Sequence, residues 1–139
     1  VEKRKGKRFG NMVVVGATDR RGCICRFSNY GRRTVDLFAP GVDILSTAPG
    51  GKYDKGEGTS ISAPMVSGVA GLMRAMRPDL TAVQVRDILL ASVRDLSGVE
   101  TTLPGDGRAT VRAGDLCLSH GVLDARAALK MLEKRKIVR

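Results

Sequence analysis

The run Gly58-Thr59-Ser60-Ile61-Ser62-Ala63-Pro64-Met65-Val66-Ser67-Gly68 places a serine where small, turn-forming residues give way to an apolar stretch. From Ile61 to Met76 the chain is apolar or small on every side, Arg74 excepted. Such a stretch predicts a helix buried all round. Pro64 falls in or near its first turn, where a missing N–H costs little, and Arg77-Pro78 stops it. Gly68 and Gly71 are costly inside a helix and make sense where another backbone packs closely. A serine at the head of such a helix has unpaired backbone N–H groups around it. It also sits at the dipole end that favours negative charge. That combination suits acyl transfer, in which the hydroxyl attacks a carbonyl and the serine's own N–H helps hold the oxyanion. Serine and threonine are also the preferred helix caps, so position alone leaves both roles open.

The elements that must carry Ser60 are short strands and turns followed by helices. Met12 to Val15 reads as a buried strand. Asp19 to Gly22 reads as a turn, Cys23 to Phe27 as a loose alternation and Ser28 to Gly31 as a second turn. Val35 to Phe38 is an apolar run stopped by Ala39-Pro40-Gly41. Val42 to Thr47 is a further strand, and after Pro49-Gly50-Gly51 the chain returns as an edge strand over Tyr53 to Gly58. Thr81 and Gln84 form a capping-box pattern for an amphipathic helix through Val83, Val85, Ile88, Leu89 and Val93. Ser97 to Leu118 reads as loop around Pro104-Gly105-Asp106-Gly107, the least regular stretch and a candidate insertion. Asp124 is an N-cap for a last helix through Lys134.

The word GTSISAPMVSG resembles the nucleophile signature of the subtilisin-like serine proteases, Gly-Thr-Ser-x-(Ala/Ser)-x-Pro-x-Val-x-Gly. Other words resemble that family in the same order: Val13-Val14-Val15-Gly16-Ala17, Phe27-Ser28-Asn29-Tyr30-Gly31, Asp36 to Ile44 with its Ala-Pro-Gly turn, Ser46-Thr47, and Gly121-Val122-Leu123-Asp124-Ala125. The resemblance runs over roughly Met12 to Leu129, and on it the chain is identified as the C-terminal part of a subtilisin-like (subtilase, peptidase S8) catalytic domain. It implies an α/β fold, part of a three-layer architecture with a mostly parallel sheet, helices on both faces and a buried central helix after the nucleophile. It divides the chain into a basic segment 1–11, the catalytic-domain part 12–134 and a basic tail 135–139. It makes Ser60 the catalytic nucleophile, with Gly58, Thr59 and Ser60 forming the oxyanion and nucleophile turn. The activity implied is serine endopeptidase hydrolysis of protein or peptide through an acyl-enzyme, with the substrate bound as an extended strand. No cofactor is required; a structural calcium is an option that some relatives use, with Asp36 the residue nearest to such a role. Met65 stands where many relatives have histidine, a position outside the catalytic triad.

In this family the triad runs Asp, His, Ser along the chain. Upstream of Ser60 stand Asp19, Asp36, Asp43 and Asp54 but no histidine. Asp19 and Asp36 fall in words matching non-catalytic parts of the family, and Asn11 and Asn29 lie after the family's oxyanion asparagine. The chain is therefore expected to be inactive alone, its first partner being the missing N-terminal part of the same domain. A triad of Ser60, Asp115 and His120 would need a Gly-x-Ser-x-Gly elbow, and Ser62 occupies the second glycine position. A different reading is a non-catalytic pseudoprotease, or truncated product, acting as a binding module.

The 139 residues, 42% hydrophobic with 17 glycines, suit one globular domain. The net charge of +10 is concentrated at the two ends. No aromatic residues interleave with the basic ones, so these read as solvated ends rather than a nucleic-acid surface. Cys23, Cys25 and Cys117 lack the spacing of a zinc site and read as isolated thiols. No apolar run is long enough to span a bilayer. The charged start without an initial Met is expected of a processed or partial chain. The family resemblance implies a secreted or vacuolar/lysosomal protein.

Overall fold

A computed structural model describes residues 9–105 and 107–134. In chain order the elements are β1 (Val15–Thr18), β2 (Leu37–Pro40), β3 (Ile44–Ala48), β4 (Lys52–Gly56), α1 (Thr59–Met76), α2 (Ala82–Ala91), β5 (Arg94–Asp95), β6 (Glu100–Thr102), β7 (Thr110–Arg112), a 3-10 turn (Ala113–Leu116), β8 (Gly121–Val122) and α3 (Ala125–Lys134). Most of the basic segment 1–11, the tail 135–139 and Asp106 lie outside the described residues.

Four strands make one sheet in the order β1-β2-β8-β5. β1 pairs parallel with β2, and β2 with β8; β5 joins antiparallel at the far edge. The mostly parallel α/β class is the one expected. β1 begins at Val15 rather than Met12, where its register meets Leu37. Just before it the Val14 N–H donates to the Asp36 carboxylate (2.8 Å), a side chain taking the place of a ladder partner.

Side chains alternate across β2 and so divide the core in two. Leu37 and Ala39 face α1, α2 and α3, meeting Val66, Val69, Met73, Val85, Ile88, Leu89, Ala128 and Leu132. Phe38, with Val35 and Val122, faces the other way, onto Ile24, Leu96, Ala113, Leu116 and Cys117. All three α-helices therefore lie on one face among the described residues. The opposite face is covered by loop, the β6–β7 hairpin and the 3-10 turn. The same layer corrects the reading of Ser97 to Leu118 as loop, for it buries Thr101, Ala113 and Leu116.

The helix termini follow the local chemistry. The Gln84 N–H donates to Thr81 Oγ1 (3.2 Å) and the Gln84 side chain takes the Thr81 N–H (2.9 Å), a reciprocal cap on α2. Asp124 Oδ1 accepts the Ala127 N–H (2.8 Å) at the head of α3. α1 is buried along one stripe, Ser62, Val66, Val69 and Met73. Its opposite face, with Ala63, Ser67, Gly68, Gly71, Leu72 and Ala75, is exposed. Burial all round is thus not reached, because this chain supplies a layer to one side of the helix only.

Candidate active site

Ser60 is the second residue of α1 and is exposed to solvent. The helix is entered through Gly58, at φ 135° and ψ 161°. A side chain is strained in that conformation, and a Cβ there would lie 3.2 Å from Ser60 Oγ. The hydroxyl therefore stands directly over the bare α-carbon of Gly58. The Gly58 carbonyl accepts the N–H groups of Ile61 (3.0 Å) and Ser62 (3.2 Å). The first two helix amides, Thr59 and Ser60, have no acceptor inside the helix, and no side chain caps this end. Pro64 is the sixth residue of α1 rather than part of its first turn. Its ring withholds the N–H that would otherwise close onto the Ser60 carbonyl.

This turn is fastened to the sheet. The Gly58 N–H donates to the Gly41 carbonyl (2.8 Å), and the Gly41 N–H donates to the Thr18 carbonyl at the end of β1 (2.9 Å). Three segments converge on Gly41. A Cβ there would strike Ser62 Oγ, reach Ala17 Cβ at 2.7 Å and the Gly58 carbonyl oxygen at 3.0 Å. Ser62 is fully buried behind the turn, its hydroxyl 3.4 Å from the Gly58 carbonyl. Sequence reasoning missed Gly41 and Ser62 as positioning residues; the signal was a glycine at a strand end combined with a hydroxyl two places after Ser60. The β3–β4 hairpin leads into the same turn. At its base Asp43 pairs with Lys55 (3.0 Å), whose hydrogen bond holds the Asp43 carboxyl below its ordinary range.

The sequence-level acid and base candidates lie elsewhere. Asp36 is buried at the entry to β2, five residues before Gly41, hence roughly 15 Å from the turn at strand rise. Its carboxylate takes Arg86 Nη2 (2.9 Å) as well as the Val14 N–H. A calcium ion needs six to eight oxygens, and a buried carboxylate against a guanidinium does not fit that need. Among the described residues no three His, Cys, Asp or Glu side chains gather to hold a metal. His120 stands level with Asp36, since Phe38 pairs with Val122 and the Ser119 N–H reaches the Asp36 carbonyl (3.0 Å). It is thus at the opposite end of the sheet from Ser60, and its Nε2 lies 2.7 Å from Arg32 Nη2. Asp115 sits in the 3-10 turn on the far face. Asn11 and Asn29 are both exposed, the first beside α2 and the second after buried Ser28.

The subtilase family model matches residues 4–112. Alkaline elastase YaB of Bacillus sp. (strain YaB) is 39% identical over 106 residues, covering 76% of this chain and 27% of that protein. Subtilisin BL of Lederbergia lenta is 38% identical over 106 residues, covering 76% of this chain and 38% of that protein. Among solved structures, a protease of Pseudoalteromonas arctica PAMC 21717 superposes with a TM-score of 0.67 at 29% identity, covering 88% of this chain and 36% of that one. The patellamide maturation protease PatA gives 0.64 at 32% identity, over 91% and 44% of the two chains. The chain therefore spans less than half the length of these relatives. No helix among the described residues is long and apolar enough to cross a membrane.

Proposed function

The chain belongs to the subtilase family of serine proteases, and on that premise we propose that it supplies the nucleophile, Ser60, of a serine endopeptidase whose acid and base lie outside these 139 residues. One observation carries the proposal: an exposed hydroxyl at the head of α1, on a turn hydrogen-bonded through Gly41 to the sheet. Ser60 Oγ attacks the peptide carbonyl and the bond to the amine breaks, leaving an ester on Ser60 that water hydrolyses. The Ser60 N–H, with no intrahelical acceptor, is placed to donate to the oxyanion. Gly58 and Thr59 hold the turn open and Ser62 backs it. The proton of Ser60 needs a base, and the one histidine of the chain is held by Arg32 at the other end of the sheet. A general base contributes about a hundred- to ten-thousandfold, so this chain alone is expected to be without measurable proteolysis. The substrate is protein or peptide bound in extended form. The whole protein is expected outside the cytoplasm, by analogy with relatives that include a cell wall-associated protease of Bacillus subtilis (strain 168).

The test is a fluorophosphonate probe on the natural full-length protein, its Ser60→Ala variant and the 139-residue chain. Rapid labelling of the first alone is the expected result. Rapid labelling of the isolated chain would overturn the division of labour. Full-length protein that neither labels nor cleaves casein would favour the pseudoprotease reading.

A further inference from the structure

Glu57 stands in the short link between β4 and α1, with Gly56 and Gly58 on either side. It is exposed, and among the described residues no cation or side-chain hydrogen bond engages its carboxylate. An open cleft of about 340 Å³ at the foot of the β3–β4 hairpin is lined by Val42, Asp43, Lys55, Gly56 and Glu57. Asp43 in that cleft is already matched, by Lys55 at 3.0 Å and by the more distant charge of Arg20. Glu57 is the carboxylate left over. The backbone fixes how near it stands to the nucleophile. Its α-carbon is one peptide, about 3.8 Å, from that of Gly58, and a Cβ on Gly58 would lie 3.2 Å from Ser60 Oγ. The Glu57 α-carbon is thus within about 9 Å of the attacking oxygen. The link is pinned there, because the Gly58 N–H donates to the Gly41 carbonyl (2.8 Å). The charge of Glu57 also reaches the Cys25 thiol, whose backbone N–H donates to the Ala17 carbonyl of β1 (3.0 Å). The carboxylate therefore stays near the strand end that carries the turn.

An anion in this place works against acyl transfer unless something answers it. Attack by Ser60 builds negative charge on the carbonyl oxygen, and a like charge nearby raises its energy. A cation brought by the substrate offsets that repulsion and pairs with Glu57 itself. We propose that Glu57 is a specificity-determining residue, selecting substrates with lysine or arginine one or two positions from the scissile bond. This rests on the proposed function of Ser60. In a peptide whose carbonyl carbon is within reach of Ser60 Oγ, those residues lie about 4–8 Å along the chain, and a long basic side chain spans the rest. The pair is open to solvent on one side, so the expected preference over alanine is about fivefold in kcat/KM. Asp54 does not compete for this role. It lies farther up the hairpin, opposite Ser46, and its Oδ1 takes the Lys55 N–H (2.8 Å).

The test measures kcat/KM of the natural full-length protein on variants of one casein-derived peptide, the bond cleaved being read by mass spectrometry. Lysine, arginine, alanine or glutamate is placed in turn at the two positions on either side of that bond. The expected lysine-to-alanine ratio is about fivefold at one of them, and it shrinks toward unity in about 1 M salt, where the Debye length is about 3 Å. Glu57→Gln abolishes the ratio, and Glu57→Lys favours glutamate at the same position. A ratio that Glu57→Gln leaves unchanged overturns the inference. So does an equal loss on every peptide, because Glu57 then only shapes the turn. Binding of the same peptides to full-length Ser60→Ala, followed by fluorescence anisotropy, reads the preference without chemistry. A Glu57-dependent lysine preference there, in a protein whose Ser60 never labels, would sink the protease reading alone. Rapid labelling of Ser60 without any lysine preference would sink this one alone, and a Ser60→Ala protein that binds none of the peptides counts against it as well.

Discussion

Replacing Arg86 by methionine keeps most of the side-chain bulk on α2 and removes its charge from Asp36. The Asp36 side chain is 3% exposed and that of Arg86 16%, so the stranded carboxylate is cut off from water. Breaking a buried pair from one side costs about 3–5 kcal/mol. The Val14 N–H still serves Asp36 Oδ2 (2.8 Å), which places the expectation at the lower end, about 3 kcal/mol. The loss also includes the bond from Arg86 Nε to the Met12 carbonyl (3.1 Å). For a chain of this size, that corresponds to a fall in melting temperature of about 12 °C. Adding Asp36→Asn to Arg86→Met removes the buried charge and should restore about 1–2 kcal/mol. High salt should change little, because buried pairs are weakly screened. The assay is thermal and urea unfolding of the four members of the cycle. A loss below about 1 kcal/mol, the size of an exposed pair, or no coupling between the two substitutions, would refute the argument. The pair matters to the site because Asp36 opens the strand that ends at Gly41, and Gly41 holds Gly58.

Gly41→Ala should disturb the candidate site itself, since the added methyl runs into Ser62, Ala17 and the Gly58 carbonyl. We expect a loss of about 2–3 kcal/mol and slower fluorophosphonate labelling of the full-length protein; unchanged labelling would count against the role given to Gly41. Burial, helped by the negative charges of Asp19, Glu57 and Cys23, pushes the Cys25 thiol up to about 11. At pH 8 it should carry about a hundredfold less thiolate than a thiol at its usual value. Ellman's reagent should therefore modify half-buried Cys23 before Cys25 or Cys117, and equal rates would refute this. A folded value above the unfolded one favours folding at lower pH, so this contribution is lost as pH rises from about 9 to about 11. Cys25→Ser should flatten that part of the stability profile.

Much of this molecule can be read along the chain. The Thr81 and Gln84 cap, the Asp124 cap, the stop at Arg77-Pro78 and the placing of Ser60 at a helix head all depend on neighbours a few residues apart, and all are found. The family is legible for the same reason, since its words are contiguous. What the tertiary structure decided involves residues distant in sequence. The strand of the valine run starts three residues later than its composition suggests, because Asp36, twenty-two residues on, takes the Val14 N–H. Gly41 and Ser62 gain their roles only where β1, β2 and the turn at Gly58 meet. His120 is far from Ser60 because the parallel register of β2 and β8 puts it at the other end of the sheet. Apolar composition made α1 look buried all round, but burial depends on which layers surround a helix, and this chain supplies one side.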